Sequence, residues 1–182
     1  MNGASLNFNT LVAPFEFVTI PNTPRLEDIQ EASYTISAWI RPEADTSTAI
    51  HAIFVKSGNF GNEGLWWRNG MVTMERRLRV PDTFDLSGYL HTAVVATGPV
   101  LAGEWHHVVG VVDVSGRNVR VYVDGAAQGV VAWNNLSTIV AEEHGAAPWR
   151  IGCAATNPGI LTVMPVPADP FVGHIDDVRI YS

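Results

Sequence analysis

Residues 105–131, WHHVVGVVDVSGRNVRVYVDGAAQGVV, constrain the fold more than any other stretch of this chain. Three valine-rich runs are separated by Ser115-Gly116 and by Asp124-Gly125. Short β-branched runs with glycine turns between them read as consecutive antiparallel strands, here a three-stranded meander. Asp124-Gly125 supplies the positive φ that a tight hairpin turn demands. His106 and His107 fall on opposite faces of their strand because side chains alternate, so they do not chelate one metal together, and a structural role is expected for both. Trp105 is expected to begin that strand and anchor it in the core.

The same punctuation runs along the chain. Tyr34 to Pro42 alternates cleanly: Tyr34, Ile36, Ala38 and Ile40 share one face, Thr35, Ser37, Trp39 and Arg41 the other. Phe15 to Ile20 alternates until Pro21, and Ile50 to Gly58 forms a further apolar run. Asn69-Gly70 between two apolar runs is a type I′ hairpin signal, with Trp66 and Trp67 just before it. If that segment is a regular strand, one of the two tryptophans points away from the core. Residues 81–103 are the least patterned, with Gly88 to Gly98 readable as a strand between loop-like pieces. Pro148 to Ala154 and Phe171 to Ser182 supply the last strands. In the closing strand Ile175, Val178, Ile180 and Tyr181 alternate with Asp176, Asp177 and Arg179. Pro24 to Gln30 is the one helix candidate, with proline near its start and acids in its first turn. The total is about eleven or twelve strands. No linker, repeat or low-complexity segment divides residues 1–182. The expectation is one all-β domain, two antiparallel sheets packed face to face.

Hydrophobic residues make up 47% and charged ones 16%, enough for a core without disorder. The net charge of −7 argues against nucleic acid, whose phosphates need a basic surface, and is compatible with neutral sugars or a divalent cation. Cys153 is the only cysteine, which rules out an intrachain disulfide. Following Gly152 in a strand, it reads as a small buried residue. No stretch reaches the ~18 apolar residues of a membrane span. The opening MNGASLNFNT lacks a basic region followed by an apolar run, so no signal peptide is visible. A domain of a longer secreted or surface chain is favoured over an intracellular protein. Asn135-Leu136-Ser137 is a glycosylation sequon.

Four segments, in order, resemble the laminin G-like jelly roll of the concanavalin A-like lectin/glucanase superfamily. LNFN with EFVTIP is similar to its opening strands and YTISAWIRP to the next. GEWHHVVGVVDVSGRNVRVYVDG resembles its central meander and FVGHIDDVRIY its end. The resemblance implies a two-sheet antiparallel jelly-roll sandwich. It also implies a structural Ca²⁺ tying the chain's ends together, with Asp176 and backbone carbonyls near Asn9 and before Tyr34 as ligands. Calcium takes six or more oxygens, so the family's usual Phe-Asp-Gly, here Phe8-Asn9-Thr10, costs a carboxylate. Alternation would turn Asp177 to the other face of the strand.

Sugar sites set aromatic platforms beside a few polar groups. Trp39, Arg41, Trp67, His107, Arg120 and Tyr122 are the candidates, forming an aromatic and basic surface on the concave sheet. The competing reading is that the fold fills these positions with aromatics for packing alone. Glucanases of the superfamily carry Glu-x-Asp-x-x-Glu on one strand, which aims paired carboxylates at a cleft. This chain has no such string; LEDIQE at residues 26–31 has its acids wrongly spaced. No enzymatic activity is expected. The expected function is a non-catalytic recognition module for a glycan or polysaccharide. The alternative is a structural or protein-binding adhesion module without a sugar site.

Overall fold

The computed structural model describes residues 5–9, 14–29, 32–43, 50–58, 61–80, 90–133, 147–156 and 166–182. Two six-stranded antiparallel sheets face each other. With strands numbered in chain order, sheet A runs β1 (Leu6–Phe8), β14 (Gly173–Tyr181), β3 (Tyr34–Pro42), β8 (His106–Asp113), β9 (Asn118–Val123), β10 (Ala126–Ala132). Sheet B runs β2 (Val18–Ile20), β11 (Trp149–Ile151), β4 (His51–Gly58), β5 (Gly61–Arg68), β6 (Met71–Val80), β7 (Leu90–Pro99). A two-stranded sheet of β12 (Ala154–Thr156) and β13 (Val166–Ala168) packs against β4 and β5. The helix α1 spans Pro24–Asp28. None of the described helices is long and apolar enough to cross a membrane.

The meander forms as its valines and turns require. Asp124 and Gly125 both take positive φ, at 51° and 79°, as do Asn69 and Gly70 at 51° and 72° in the β5–β6 turn. In the β8–β9 turn the positive φ falls on Arg117 rather than on Gly116. The two opening strands part company: β1 pairs with β14 in sheet A, while β2 pairs with β11 in sheet B. The poorly patterned region yields the strand β7, and residues 81–89 before it lie outside the described residues, as does the sequon at 135–137.

Alternation sends Ile36, Ala38 and Ile40 of β3 and Val108 and Val112 of β8 fully into the core. Opposite them sit Leu65, Val72, Met74 and Trp149 of sheet B. Trp149 stacks on Phe54 at 4.8 Å and meets Tyr34 edge-on at 6.4 Å. Gly110 makes room for Met74, whose side chain occupies the place a Cβ would take.

One end of the core is charged. Arg76 Nη1 donates to both carboxylate oxygens of Glu63, at 3.0 and 2.8 Å, with both side chains 1% exposed. The guanidinium lies 6.0 Å from the Tyr34 ring. Burial, and then the Glu63 charge, push the Tyr34 hydroxyl well above its ordinary pKa, so it stays neutral. Lys56, also fully buried, donates to Asn22 Oδ1 at 3.3 Å.

Breaking a buried pair by removing one partner leaves an uncompensated charge. Arg76→Met should therefore cost about 3–5 kcal/mol in urea denaturation. Arg76→Met with Glu63→Gln should cost clearly less than the two single changes summed. Gly64 holds φ +131°, and a Cβ there would run into the Phe54 carbonyl oxygen. Gly64→Ala should lower stability by more than ~1 kcal/mol in the same assay.

Candidate functional site

The outer face of sheet A is set by the double register of β3. Trp39 lies opposite Asp176 of β14 on one side and His107 of β8 on the other. The three form one row of carboxylate, indole and imidazole, the two rings 5.2 Å apart at 39°. In the next row toward the start of β14, His174 lies opposite Arg41. Trp105 joins them just before β8, 6.0 Å from the His174 ring and 5.9 Å from the Arg41 guanidinium. Arg41 also reaches Glu43 at 3.8 Å. In the opposite direction Ser37 lies opposite Arg179 and Val109, and Val109 opposite Tyr122. The last row is Tyr181, Thr35, Val111 and Arg120. There Ser33, Thr35, Val111, Asp113, Tyr181 and Ser182 line a shallow hollow of about 260 Å³.

Trp39, Arg41, His107, Arg120 and Tyr122 thus share one half-buried surface. Trp67 does not join them. It belongs to the other sheet, is 3% exposed, and turns into the core beside His51 at 5.3 Å. Its neighbour Trp66 is the tryptophan that faces away from the main core. Trp105 is likewise not a core anchor: it sits two residues before His107, so it shares the outer face. His106 points inward, 9% exposed, and its Nδ1 donates to Asp124 Oδ2 at 2.8 Å. Asp124 Oδ1 accepts from the His107 amide at 2.9 Å, which ties the β9–β10 turn to the start of β8. Arg120 reaches Asp113 at 3.1 Å.

The closing strand breaks the expected alternation. A bulge lies between Asp176 and Arg179, and Asp177 takes φ +46°. The Asp177 amide donates to Asp176 Oδ1 at 2.8 Å, and its carboxylate accepts from Arg179 Nε at 2.7 Å. Asp177 is therefore the extra residue of the bulge, exposed and paired, rather than a side chain on the opposite face.

Asp176 and Asn9 do not come together. Leu6 lies opposite Ile175 and Phe8 opposite Gly173, so Asn9 lies beyond Gly173. That puts it four residues along from the position facing Asp176, roughly 14 Å of extended strand. Asn9 is exposed, and its amide donates to Glu16 at 2.9 Å. Among the described residues no three His, Cys, Asp or Glu side chains group as a metal site. The expected ligand pair does not fit one calcium ion.

Sheet B has an outer face of different character. Trp149 and Ile151 enter the core, so Arg150 between them points outward. Register places it in a row with Thr19, Val55, Gly64 and Glu75. The adjacent row holds Ala52, Trp66, Thr73 and Thr97. Ala52, Val55 and Trp66 pack with Ala154 of β12 in a small cluster separate from the main core. Cys153 beside it is buried, its thiol pKa raised by that burial, and its Sγ donates to the Ala154 and Ala168 carbonyls.

Among the described residues, two buried groups on this face lack acceptors. Arg150 is 8% exposed, and its Nε and Nη1 find no hydrogen-bond partner there; nor does Trp66 Nε1. The Arg150 guanidinium lies 5.5 Å from the Phe17 ring. Such a contact contributes about 0.5–2 kcal/mol. Burying an ion costs several kcal/mol even after relaxation, so Phe17 does not offset it. Glu75 stands three strands away in the row, ~14 Å at sheet spacing. Asp169, its carboxyl raised by burial, feels the charges of His51 and Arg68 instead. Sequence reading missed Arg150, because a lone arginine in a three-residue strand carries no motif.

The family model described as "Concanavalin A-like lectin/glucanases superfamily" matches residues 16–182. The chain belongs to that superfamily. No curated protein matches it. Among solved structures it resembles the CBM40 domain of the Ruminococcus gnavus IT-sialidase, with TM-score 0.63 and 17% identity over 100% of this chain and 90% of that one. The same domain bound to α2,3-sialyllactose gives 0.60 and 18%, with the same coverage. NanB sialidase of Streptococcus pneumoniae gives 0.63 and 15% over 98% of this chain but 25% of that one. At these identities the likeness shows the fold.

The clamp at the His106–His107 end is sensitive to acid. Burial works to raise the Asp124 carboxyl, but the hydrogen bonds from His106 and the His107 amide outweigh it and hold the pKa below the usual carboxylate value. Its contribution to stability is therefore complete above the unfolded value of about 3.9 and is lost as pH falls through the lower folded value. Asp124→Asn should melt below wild type at neutral pH, and the gap should close as pH drops below ~4.

Proposed function

We propose that this domain is a non-catalytic carbohydrate-binding module. The observation that carries the reading is the likeness, over all of this chain, to the CBM40 domain of the Ruminococcus gnavus IT-sialidase, which has also been solved with sialyllactose bound. The chemistry of the outer face of sheet A supports it. Sugars present apolar C–H faces and a rim of hydroxyls. The half-buried Trp39 and His107 rings offer a platform for the first, while Asp176, Arg41, Arg120 and the Tyr122 hydroxyl offer partners for the second. The rows spread over four strands, so an oligosaccharide would lie across them. The missing Glu-x-Asp-x-x-Glu string agrees with a role in recognition rather than hydrolysis.

A glycan array with the purified domain tests the reading. The expected result is a coherent class of binders. Trp39→Ala should weaken binding to the best of them by roughly thirtyfold, the size of an interface hot spot. A melting curve on the same variant shows that the fold is retained. A blank array from a folded domain would sink the carbohydrate reading in favour of a protein-binding adhesion module. Wild-type affinity in Trp39→Ala would move the site off this face.

A further inference from the structure

We infer that the ligand of sheet A is an unbranched neutral glycan, which runs along β3 from the Trp39–His107 platform in a trough floored by Ser37, Thr35, Val109 and Val111. The sugar class rests on the carbohydrate reading of this face; the direction, length and charge rest on the trough.

The trough comes from side-chain size. Outward positions of β3 pass from Arg41 and Trp39 to Ser37 and Thr35. Beside the last two, β8 presents Val109 and Val111. The strands on either flank carry longer groups, Arg179 and Tyr181 on β14 and Tyr122 and Arg120 on β9. Two central strands with short side chains between two with long ones leave a channel parallel to the strands. The flanking backbones are three strand spacings apart, roughly 14 Å, which between their side chains admits one sugar ring in width. A branch on those sugars would meet a wall. Trp39 to Thr35 is four residues, roughly 13 Å of strand, so two or three sugars fit beyond the one on the platform. At the far end the hollow of about 260 Å³ beside Thr35, Asp113 and Tyr181 leaves the chain room to continue.

The lining suits hydroxyls without charge. Its two tyrosines fall in successive rows on opposite walls, Tyr122 in the Ser37 row and Tyr181 in the Thr35 row, so each flanks a different sugar. Both wall arginines already hold a carboxylate, Arg179 with Asp177 at 2.7 Å and Arg120 with Asp113 at 3.1 Å. A charged ligand would compete with those partners. A hydroxyl need not, since it donates to the remaining lone pairs of the carboxylate and accepts from the remaining N–H groups of the guanidinium. The domain's net charge of −7 further disfavours an acidic chain.

The test is calorimetric titration of the domain with ladders of two to six sugars: β1,4-linked glucose, xylose and mannose, α1,4-linked glucose, and α1,4-linked galacturonate as the acidic counterpart. At least one neutral ladder should bind. Its affinity should rise roughly ten- to thirtyfold from disaccharide to tetrasaccharide, as about two net hydrogen bonds would give, and level off by the hexasaccharide. Thr35→Trp fills the trough and should bring the tetrasaccharide down to the affinity of the wild-type disaccharide. Val111→Trp, directly across from Thr35, should do the same and takes its place if Thr35→Trp melts early. Trp39→Ala should weaken every length. The inference is overturned if no neutral ladder binds, if affinity does not rise with length, if the galacturonates bind best, or if a folded trough-filling variant keeps the gain. In each of those cases coherent binders on the glycan array leave the carbohydrate reading standing. A blank array beside silent ladders removes both.

Discussion

Strand β3 is hydrogen-bonded to β14 on one side and to β8 on the other, and the outer surface of sheet A follows from those two registers. What pins them is the opposite face. Ile36, Ala38 and Ile40 are fully buried against sheet B. A slip of one residue would carry that whole set to solvent and bring Trp39 and Arg41 inside. The core thus fixes where Trp39, His107 and Asp176 stand without using their chemistry. Hydrophobic burial specifies the geometry, and the outer side chains are free to vary in kind while staying fixed in place.

Two buried arginines show how differently the same group can be handled. Arg76 faces the interior and meets Glu63 at hydrogen-bond distance. The pair is compensated within the fold, so its role is structural and a ligand has nothing to add. Arg150 faces outward, meets only the Phe17 ring among the described residues, and keeps open donors. Both are costly to desolvate, but among the described residues only the first meets an opposite charge. The distinction lies in parity: Arg76 falls on the same face as Val72 and Met74, while Arg150 alternates with two core residues.

Most of the fold was legible because its signals are local. The Asn69-Gly70 and Asp124-Gly125 turns and the alternation of β3 depend on neighbours in sequence. Part of what failed depends on contacts distant in sequence, and part on local signals that point the other way from the first reading. Alternation alone could not choose between Trp66 and Trp67, since either parity gives a regular strand; packing against Ala154 chose. Trp105 lies outside its strand, but its parity with His107 already pointed it outward. The bulge at Asp176 left a trace that went unread. Ile175 and Val178 are three apart, an odd spacing that one uniform strand cannot place on a single face. Asn9 was assigned by resemblance to a loop, and only the β1–β14 register shows how far it lies from Asp176.

A sandwich buries one face of each sheet, so each sheet has just one face left on which to present a ligand site. Superfamily membership constrains the buried faces, since apolar alternation is what two packed sheets require. It says little of the outer ones, which is why structures at 17% identity can share this fold over the whole chain. The two outer faces here differ in kind. Sheet A offers half-exposed rings and ionised groups that already have partners, such as Arg120 with Asp113 and Arg179 with Asp177. Sheet B offers donors that have none among the described residues. A surface whose polar groups are paired can bind through shape and weak contacts over a wide area. A surface with buried open donors discriminates more sharply, because a ligand lacking the matching acceptors leaves their desolvation cost unrelieved. On the proposed carbohydrate reading, the rings of sheet A would bind broadly, through stacking rather than through unmet hydrogen bonds.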